Sequence, residues 1–217
     1  MSRFDTSTTV RRLGGESGIC LTFDDGPDIH WTPMLLDMLD KYGVKAAFFV
    51  VGQQALQQPE WILLMRQAGH DVGSHGFNHV RPRRTRREAA RKDVMDGAKA
   101  IADITGEPCR WFRPPHGHFN KWMQQTAGEL GLTTVLWSHS VMDWGPWGRE
   151  AWIRRRMEQT ASGDIVLLHD GRPEANRPAE SQRVLREWLP VARDEGHCFV
   201  NLSDGLRPVD RSEESWG

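Results

Sequence analysis

Short apolar runs alternate with longer amphipathic segments along most of the chain, beginning at Ile19. The runs have the length of strands, whereas a segment such as 31–43 repeats its apolar residues at helical spacing. The alternation predicts strands at 19–23, 46–52, 70–75, 110–115, 132–138, 164–170 and 197–202. It predicts helices at 31–43, 59–70, 85–105, 119–131, 150–161 and 181–196. The third helix opens with a capping-box pattern, Thr85 and Glu88.

Repeated strand-then-helix order is typical of a parallel α/β sheet with right-handed crossovers. About seven strands fit either an open doubly wound sheet or a small barrel. Polar clusters follow several of the predicted strands, and functional side chains of parallel α/β folds collect at such carboxyl ends. Because several ends converge on one site only in a strongly curved sheet, we expect a single-domain, distorted parallel (β/α) barrel.

The composition is ordinary for a globular domain, with 38% hydrophobic residues, 26% charged residues and a formal net charge of -1. This charge offers no general attraction to nucleic acid, and no apolar run approaches the roughly 18 residues of a membrane-spanning helix. We expect a flexible N-terminal segment at 1–16, one folded domain at 17–205 and a C-terminal tail at 206–217. The N-terminus lacks the apolar core of a secretory signal, so we expect a cytoplasmic protein, or an extracellular or periplasmic one if a leader was removed. No pattern indicates an oligomeric state.

Two motifs at strand ends carry residues suited to metal chemistry. In TFDDGP, Asp24 and Asp25 form either a plain turn or a pair with separate roles, one on a metal and one taking protons. In SHGFNH, His75 and His79 are four residues apart, which places both imidazoles on one side of a helical turn and is a common spacing of zinc ligands. Two histidines and one carboxylate leave coordination positions open for water and substrate, as in catalytic zinc sites.

Two other features admit both a structural and a functional interpretation. His169 ends the apolar run GDIVLLH, and it is either a packed or capping residue or a general acid at the same edge as the acids. The run RPRRTRREAARK at 81–92 fits a solvated helix face, or alternatively a patch for an anionic part of the substrate such as a phosphate. Nucleic-acid binding is less favoured, because no aromatic residues are interleaved with the basic ones.

Motifs along the chain resemble, in their order, those of the polysaccharide deacetylase family. They are TFDDGP (22–27), SHGFNH (74–79), FRPPHG (112–117), VMDW (141–144) and IVLLHD (165–170). The family comprises the NodB-like deacetylases, of the carbohydrate esterase family 4 type, which act on chitin oligosaccharides, peptidoglycan and xylan. The resemblance covers nearly the whole chain and identifies 17–205 as the catalytic domain. It implies a distorted (β/α) barrel, often with seven strands, in agreement with the pattern above.

The resemblance also implies roles for the residues of the motifs. Asp24 corresponds to the catalytic base, and Arg113 to the residue that pairs with this base and orients it. His169 corresponds to the general acid, with Asp143 as its carboxylate partner.

The remaining motif positions correspond to metal ligands and to residues that contact the substrate. The implied metal ligands are Asp25, His75 and His79. The implied substrate-binding residues are Pro115, His116, Trp144 and Leu167, of which Trp144 and Leu167 would be apolar walls for the acyl methyl group. The chain departs from the family at Ser140, where relatives often have a carboxylate, and at His116, where they often have tyrosine; His118 adds another imidazole nearby. The implied cofactor is a divalent metal, with zinc expected first and cobalt, nickel or manganese as alternatives.

The expected function is that of a metal-dependent deacetylase, which hydrolyses the N-acetyl amide of an amino-sugar-containing glycan or oligosaccharide and releases acetate. One alternative is a hydrolase of the same fold that cleaves another C–N bond. Its substrate would be a formyl group on a lipid-linked or phosphate-bearing sugar, or a cyclic ureide or imide. The other alternative is a barrel that binds glycans without hydrolysing them.

Overall fold

The computed structural model describes residues 9–14 and 18–207, and in them the strands form one curled parallel sheet. The eight strands of this described part are β1 Thr9–Val10, β2 Cys20–Asp24, β3 Ala46–Val50, β4 Asp71–Ser74, β5 Trp111–Phe112, β6 Thr133–Val135, β7 His139–Ser140 and β8 Ile165–His169. Their order across the sheet is β1-β6-β5-β4-β3-β2-β8-β7. Every neighbouring pair is parallel, as the strand-then-helix pattern predicted.

Helices cover the outer face of the sheet. The α-helices of the described residues are α1 Trp31–Lys41, α2 Gly52–Gln57, α3 Pro59–Gln67, α4 Arg87–Thr105, α5 Lys121–Glu129, α6 Glu150–Met157, α7 Pro178–Asp194 and α8 Leu202–Gly205. The last of these is the exception, because its Leu202 packs on the inner face with strand residues. The central strands are buried on both faces, which explains their nearly continuous apolar sequence. In β3, Phe48 packs among helix residues such as Leu35 and Leu185, whereas the next residue, Phe49, packs among strand residues such as Val135. None of the helices in the described part is both long and apolar enough to cross a membrane.

A short connection closes the curled sheet into a distorted barrel. β6 and β7 are consecutive in the chain but lie near opposite ends of the sheet, so residues 136–138 pass from one end to the other. On one side the N–H of Leu136 donates to the carbonyl of Val10 over 2.8 Å. On the other side the N–H of Ser138 donates to the carbonyl of Ile165 over 3.1 Å. The predicted single-domain α/β barrel is thereby confirmed, with eight strands in the described residues instead of about seven.

The ends of the chain differ from the prediction. Residues 9–14 belong to the barrel rather than to a flexible lead-in, because β1 extends the sheet beside β6 and Leu13 is buried against it. Residues 1–8, 15–17 and 208–217 lie outside the described residues, as does most of the predicted tail. The strand predicted at 197–202 is reduced to one bridge between Ile19 and Phe199, because Asn201 caps α8 at once by accepting from the N–H of Asp204.

The predicted capping box of α4 is also wrong. The helix begins at Arg87 with Arg86 as its N-cap, and no side chain caps it. The hydroxyl of Thr85 instead donates to the carbonyl of Arg81 over 2.7 Å, which ties it to the preceding turn. A local side-chain hydrogen bond thus competes with the capping geometry that the sequence pattern suggests.

Candidate active site

The sheet brings polar side chains from five elements to its carboxyl edge. Asp24 and His169 are the last residues of β2 and β8, and they are partners across these adjacent strands. His75 follows β4, and Arg113 follows the neighbouring strand β5. Asp143 comes three residues after β7, the strand beside β8. Strand curvature therefore assembles residues that are up to 145 positions apart in the chain.

Asp25, His75 and His79 form a cluster whose dimensions suit a divalent ion. One ligand atom from each lies within 4.8 Å of the others. Asp25 Oδ1 is 3.6 Å from His75 Nε2 and 3.0 Å from His79 Nε2. Ligand atoms around a tetrahedral zinc ion lie about 3.4 Å apart, given metal–ligand bonds near 2.1 Å. Within the described residues this is the one such group of His, Cys, Asp and Glu side chains that could hold a metal ion.

The hydrogen bonds around the cluster leave the right atoms available for an ion. Asn176 Nδ2 donates to Asp25 Oδ2 over 2.8 Å, while Asp25 Oδ1 is buried and has no well-aligned donor. His75 Nδ1 lies 2.8 Å from the carbonyl of Arg113, which assigns the proton to Nδ1 and leaves the lone pair of Nε2 free. An orphaned carboxylate oxygen that faces two imidazoles is a fitting site for a cation.

The backbone that presents these ligands is not the helical turn expected from the His75–His79 spacing. The segment between the two histidines is an irregular bend, and His79 has a positive φ of 53°. Asp25 has a φ of 74°, which turns its side chain away from the strand direction followed by Asp24. Left-handed conformations are costly for residues other than glycine and cluster at functional sites. Here they let adjacent acids point to different partners.

Electrostatics keep the cluster in the form that binds metal. Burial alone would raise the pKa of Asp25, but the imidazoles of His79 and His75 lower it below its ordinary value. Burial lowers the pKa of His75 to about 4, against the opposing charges of Asp24 and Asp25. At neutral pH the carboxylate is therefore ionised and the His75 imidazole neutral, as metal ligation requires.

Arg172 lies against the cluster from the loop after β8. Its Nη1 donates to His79 Nδ1 over 2.7 Å and lies 3.9 Å from Asp25 Oδ2. A His79 that binds a cation through Nε2 carries its own proton on Nδ1. Since arginine can only donate, this contact and ligation through His79 Nε2 exclude each other, so the partly exposed Arg172 loses this partner when an ion is bound.

Asp24 is held by a fully buried arginine. Arg113 Nη1 donates to Asp24 Oδ1 over 2.8 Å and to the hydroxyl of Thr22 over 2.7 Å. Arg113 Nε donates to the carbonyl of Val135 over 3.1 Å, and Nη2 donates to the carbonyl of Leu136 over 3.0 Å. The second carboxylate oxygen, Asp24 Oδ2, is 3.6 Å from His75 Nε2. One oxygen is thus fixed by the ion pair, and the other faces the candidate metal site.

His169 and Asp143 form a second charged pair in the cavity wall. His169 Nδ1 lies 2.8 Å from Asp143 Oδ1, and the His169 backbone N–H donates to Asp143 Oδ2 over 2.9 Å. Ser181 also donates to Oδ2, so that the carboxylate is completely enclosed. Burial would lower the pKa of His169, but Asp143 outweighs it and raises the pKa to about 9. The imidazole is therefore protonated at neutral pH.

The metal-ligand cluster, Asp24 and His169 line one cavity of about 400 Å³. Trp144 and Leu167 line it beside His169, and the Trp144 ring meets His169 edge-on at 5.6 Å. His116 lines it as well, with a left-handed backbone and its ring 4.6 Å from that of His79. Pro115, predicted to contact substrate, is buried and is not among the residues that line the cavity.

Several residues at the site were missed by the sequence analysis. Arg172 follows the IVLLHD motif by two residues, so the strand-end rule could have found it. Asn176 and Ser181 lie farther along, in the loop before α7 and in its first turn, and no spacing links them to Asp25 or Asp143. Arg81 lines the cavity from within the basic run, where the sequence does not distinguish it from its neighbours.

The family model for polysaccharide deacetylases matches residues 12–135 of the chain. The chain belongs to this family. The predicted resemblance is thereby confirmed, as is the prediction of a hydrolase of this type acting on C–N bonds other than peptide bonds. Family 4 deacetylases are metal-dependent, which agrees with the cluster described above.

Similar proteins come from this same family. A peptidoglycan-N-acetylglucosamine deacetylase of Bacillus cereus is 37% identical over 194 residues, covering 88% of this chain and 89% of that protein. A chitooligosaccharide deacetylase of Sinorhizobium fredii is 33% identical over 211 residues, covering 93% of this chain and 98% of that protein. The crystal structure of a peptidoglycan N-acetylglucosamine deacetylase with a bound N-oxidanyl-benzamide superposes with a TM-score of 0.84 at 25% identity, covering 92% of this chain and 93% of that one.

Proposed function

We propose that this polysaccharide deacetylase hydrolyses the N-acetyl group of an amino-sugar-containing glycan and releases acetate. The observation that carries the proposal is the shared cavity, in which the Asp25, His75 and His79 cluster adjoins a carboxylate, Asp24, and a protonated imidazole, His169. Hydrolysis of an amide needs these groups together, because the carbonyl is a weak electrophile and the amine leaves only after protonation. The names of the similar proteins support an acetylated amino-sugar glycan as the substrate.

A divalent cation held by Asp25, His75 and His79 would supply Lewis acidity, which polarises a carbonyl and lowers the pKa of water from about 15.7 toward about 7. Asp24 is assigned as the general base that takes the proton of the attacking water. Such a base typically contributes about a hundredfold or more in rate. Arg113 occupies Asp24 Oδ1 and so leaves Oδ2 as the oxygen that accepts this proton.

His169 is assigned as the general acid. Because Asp143 keeps its imidazole protonated, His169 can deliver a proton to the amide nitrogen as the C–N bond breaks. The imidazole binds Asp143 through Nδ1, so Nε2 carries the proton that is transferred. Trp144 and Leu167, beside His169, form an apolar surface suited to the acetyl methyl group.

Zinc is the metal we propose, since two imidazole nitrogens and one carboxylate oxygen with open positions are one of its catalytic ligand sets. Cobalt, nickel and manganese accept the same donors.

The test is release of acetate from a panel of substrates by protein that has been stripped with a chelator and reloaded with Zn²⁺ or Co²⁺. The panel contains N-acetylated chitooligosaccharides, peptidoglycan glycan strands, O-acetylated xylan and an N-formylated sugar. We expect release from N-acetylated glycans, its loss on chelation and its return with metal. Full activity after exhaustive chelation, or turnover of the formylated sugar alone, would contradict the proposal.

A further inference from the structure

The wall of the active cavity carries two arginines, Arg81 and Arg172, that the mechanism above does not use. Arg81 comes from the basic run 81–92, just after the loop that bears His79. Arg172 comes from the loop after β8. Two unrelated segments thus place a guanidinium at one cavity beside the candidate metal ligands.

Arg81 differs from other basic residues of its run. Arg91 pairs with Glu129 over 2.9 Å, and Lys92 pairs with Asp96 over 2.7 Å, as expected on a solvated helix face. Arg81 is exposed, and no carboxylate in the described part of the chain lies within ion-pair distance of its guanidinium. Its charge is therefore available to a ligand in the cavity.

The positive charge of Arg172 is only partly compensated by neighbouring carboxylates. Its Nε lies 3.3 Å from Glu174, an exposed carboxylate, and such surface pairs are weak. Its contact with His79 Nδ1 excludes ligation of an ion through His79 Nε2, so metal binding frees Nη1. The residue has a positive φ of 53°, a costly conformation for arginine that aims its side chain at the cavity.

The other charges of the site do not cancel these two. Asp24 is paired with Arg113, and Asp143 with His169, so neither carboxylate is available to Arg81 or Arg172. Asp25 would be neutralised by the cation it holds. The metal-loaded cavity thus has a positive wall, which attracts anions.

We propose that Arg81 and Arg172 bind an anionic group, a carboxylate or a phosphate, carried by the sugar that is deacetylated or by its neighbour. The two arginines would then select charged glycans over neutral ones. Guanidinium groups suit both anions because their N–H donors form paired, charge-assisted hydrogen bonds with planar or tetrahedral oxyanions. The inference rests on the proposed deacetylase function and specifies its substrate class.

The test compares three oligosaccharides of equal length with the zinc-loaded enzyme. One is a neutral N-acetylglucosamine oligomer. The second alternates N-acetylglucosamine with N-acetylmuramic acid and so carries carboxylates, and the third is the neutral oligomer with a 6-phosphate. The variants are Arg81→Gln and Arg172→Gln, and the matched control is Arg83→Gln, an exposed arginine of the same run that does not line the cavity. The measurements are kcat/KM for acetate release and, in the non-hydrolysing Asp24→Asn background, Kd by calorimetry.

We expect the wild type to prefer a charged oligomer by about tenfold or more at low salt, the size of a hydrogen bond to a charged group. The preference should shrink as ionic strength rises. Arg81→Gln and Arg172→Gln should each remove most of it, while Arg83→Gln keeps it. Metal content is measured in parallel, because Arg172 contacts His79. If Arg172→Gln retains its metal, the lost preference reflects the anion contact and not a disturbed His79.

The outcomes are distinguishable. Preference for the carboxylate or for the phosphate tells which anion the arginines bind, and either result supports the proposal. Equal kcat/KM and Kd for all three oligomers, or equal preference in Arg81→Gln and Arg83→Gln, would overturn it while leaving the deacetylase function intact. Absence of acetate from every oligomer would instead refute the function, and the calorimetric comparison would still decide whether anions are selected.

Discussion

Replacing Asp143 by asparagine removes the charge that keeps His169 protonated while preserving the size of the side chain. In the intact pair the pKa of His169 is about 9, against an ordinary value of 6.5. The difference corresponds to about 3 kcal/mol in favour of the protonated imidazole. Without the carboxylate, burial acts in the opposite direction, so we expect the pKa of His169 to fall to its ordinary value or below.

The consequence is a loss of activity that depends on pH. A general acid works only in its protonated form, so turnover declines as pH rises through its pKa. At pH 8, about nine tenths of His169 is protonated when its pKa is about 9, but only about 3% when the pKa is 6.5. The Asp143→Asn variant should therefore be about thirtyfold less active than the wild type at pH 8. At pH 6 the titration alone costs less than about twofold.

The measurement is the pH profile of kcat for acetate release by zinc-loaded enzyme, from pH 5 to pH 10. A bound cation shifts the basic limb of both proteins in the same direction, so the difference between them is the observable. Ser181→Ala is the control, because it removes one hydrogen bond to Asp143 without removing the charge. The reasoning is refuted if the activity of Asp143→Asn is lower than that of the wild type by the same factor at every pH. The basic limbs of the two profiles would then coincide, and Asp143 would not hold the proton on His169.

Further outcomes follow from the other contacts of the site. Asp24→Asn should retain about one metal ion per chain after dialysis but release no acetate, whereas His79→Ala should lose the ion; near-full activity of Asp24→Asn would refute its role as base. Arg113→Met leaves the carboxylate of Asp24 buried without its partner, so urea unfolding followed by tryptophan fluorescence should show a loss of about 4 kcal/mol. Arg113→Met combined with Asp24→Leu should recover much of that loss, and no recovery would place the cost elsewhere. Asn176→Leu removes the 2.8 Å hydrogen bond that orients Asp25, and metal affinity measured against a competing chelator should fall about tenfold or more. Unchanged affinity would show that Asp25 is oriented by other contacts.

The sequence predicted the fold well where apolar runs are continuous. β2, β3 and β8 are buried on both faces, and their uninterrupted apolar residues mark them clearly. β1 and β7 have two residues each, and their sequences TV and HS carry no periodicity that could reveal a strand. These short strands form because the curled sheet presents unpaired edges to them, and that tertiary context is not written in the local sequence.

For the site, the residues named from motifs and the residues found only in the structure differ in kind. Asp24, Asp25 and His169 lie at strand ends, where the alternation of elements already indicates a common edge. Asn176 and Arg172 act through contacts across the barrel mouth, which depend on the course of a loop that sequence pattern does not define. For His75 and His79, the sequence indicated the residues but not their backbone conformation. Their spacing pointed to a helical turn, whereas the chain forms a bend.

The carbonyls of Val135 and Leu136 that bind Arg113 lie where β6 ends and the connection 136–138, which closes the sheet, begins. The orientation of Asp24 therefore depends on this closing junction of the barrel and not on a loop at the mouth of the barrel. The charges at positions 81 and 172 can change without moving this junction, provided that Asn176, in the same loop as Arg172, keeps its hydrogen bond to Asp25. This division would let related enzymes diverge in the glycans they recognise while the hydrolytic chemistry stays the same.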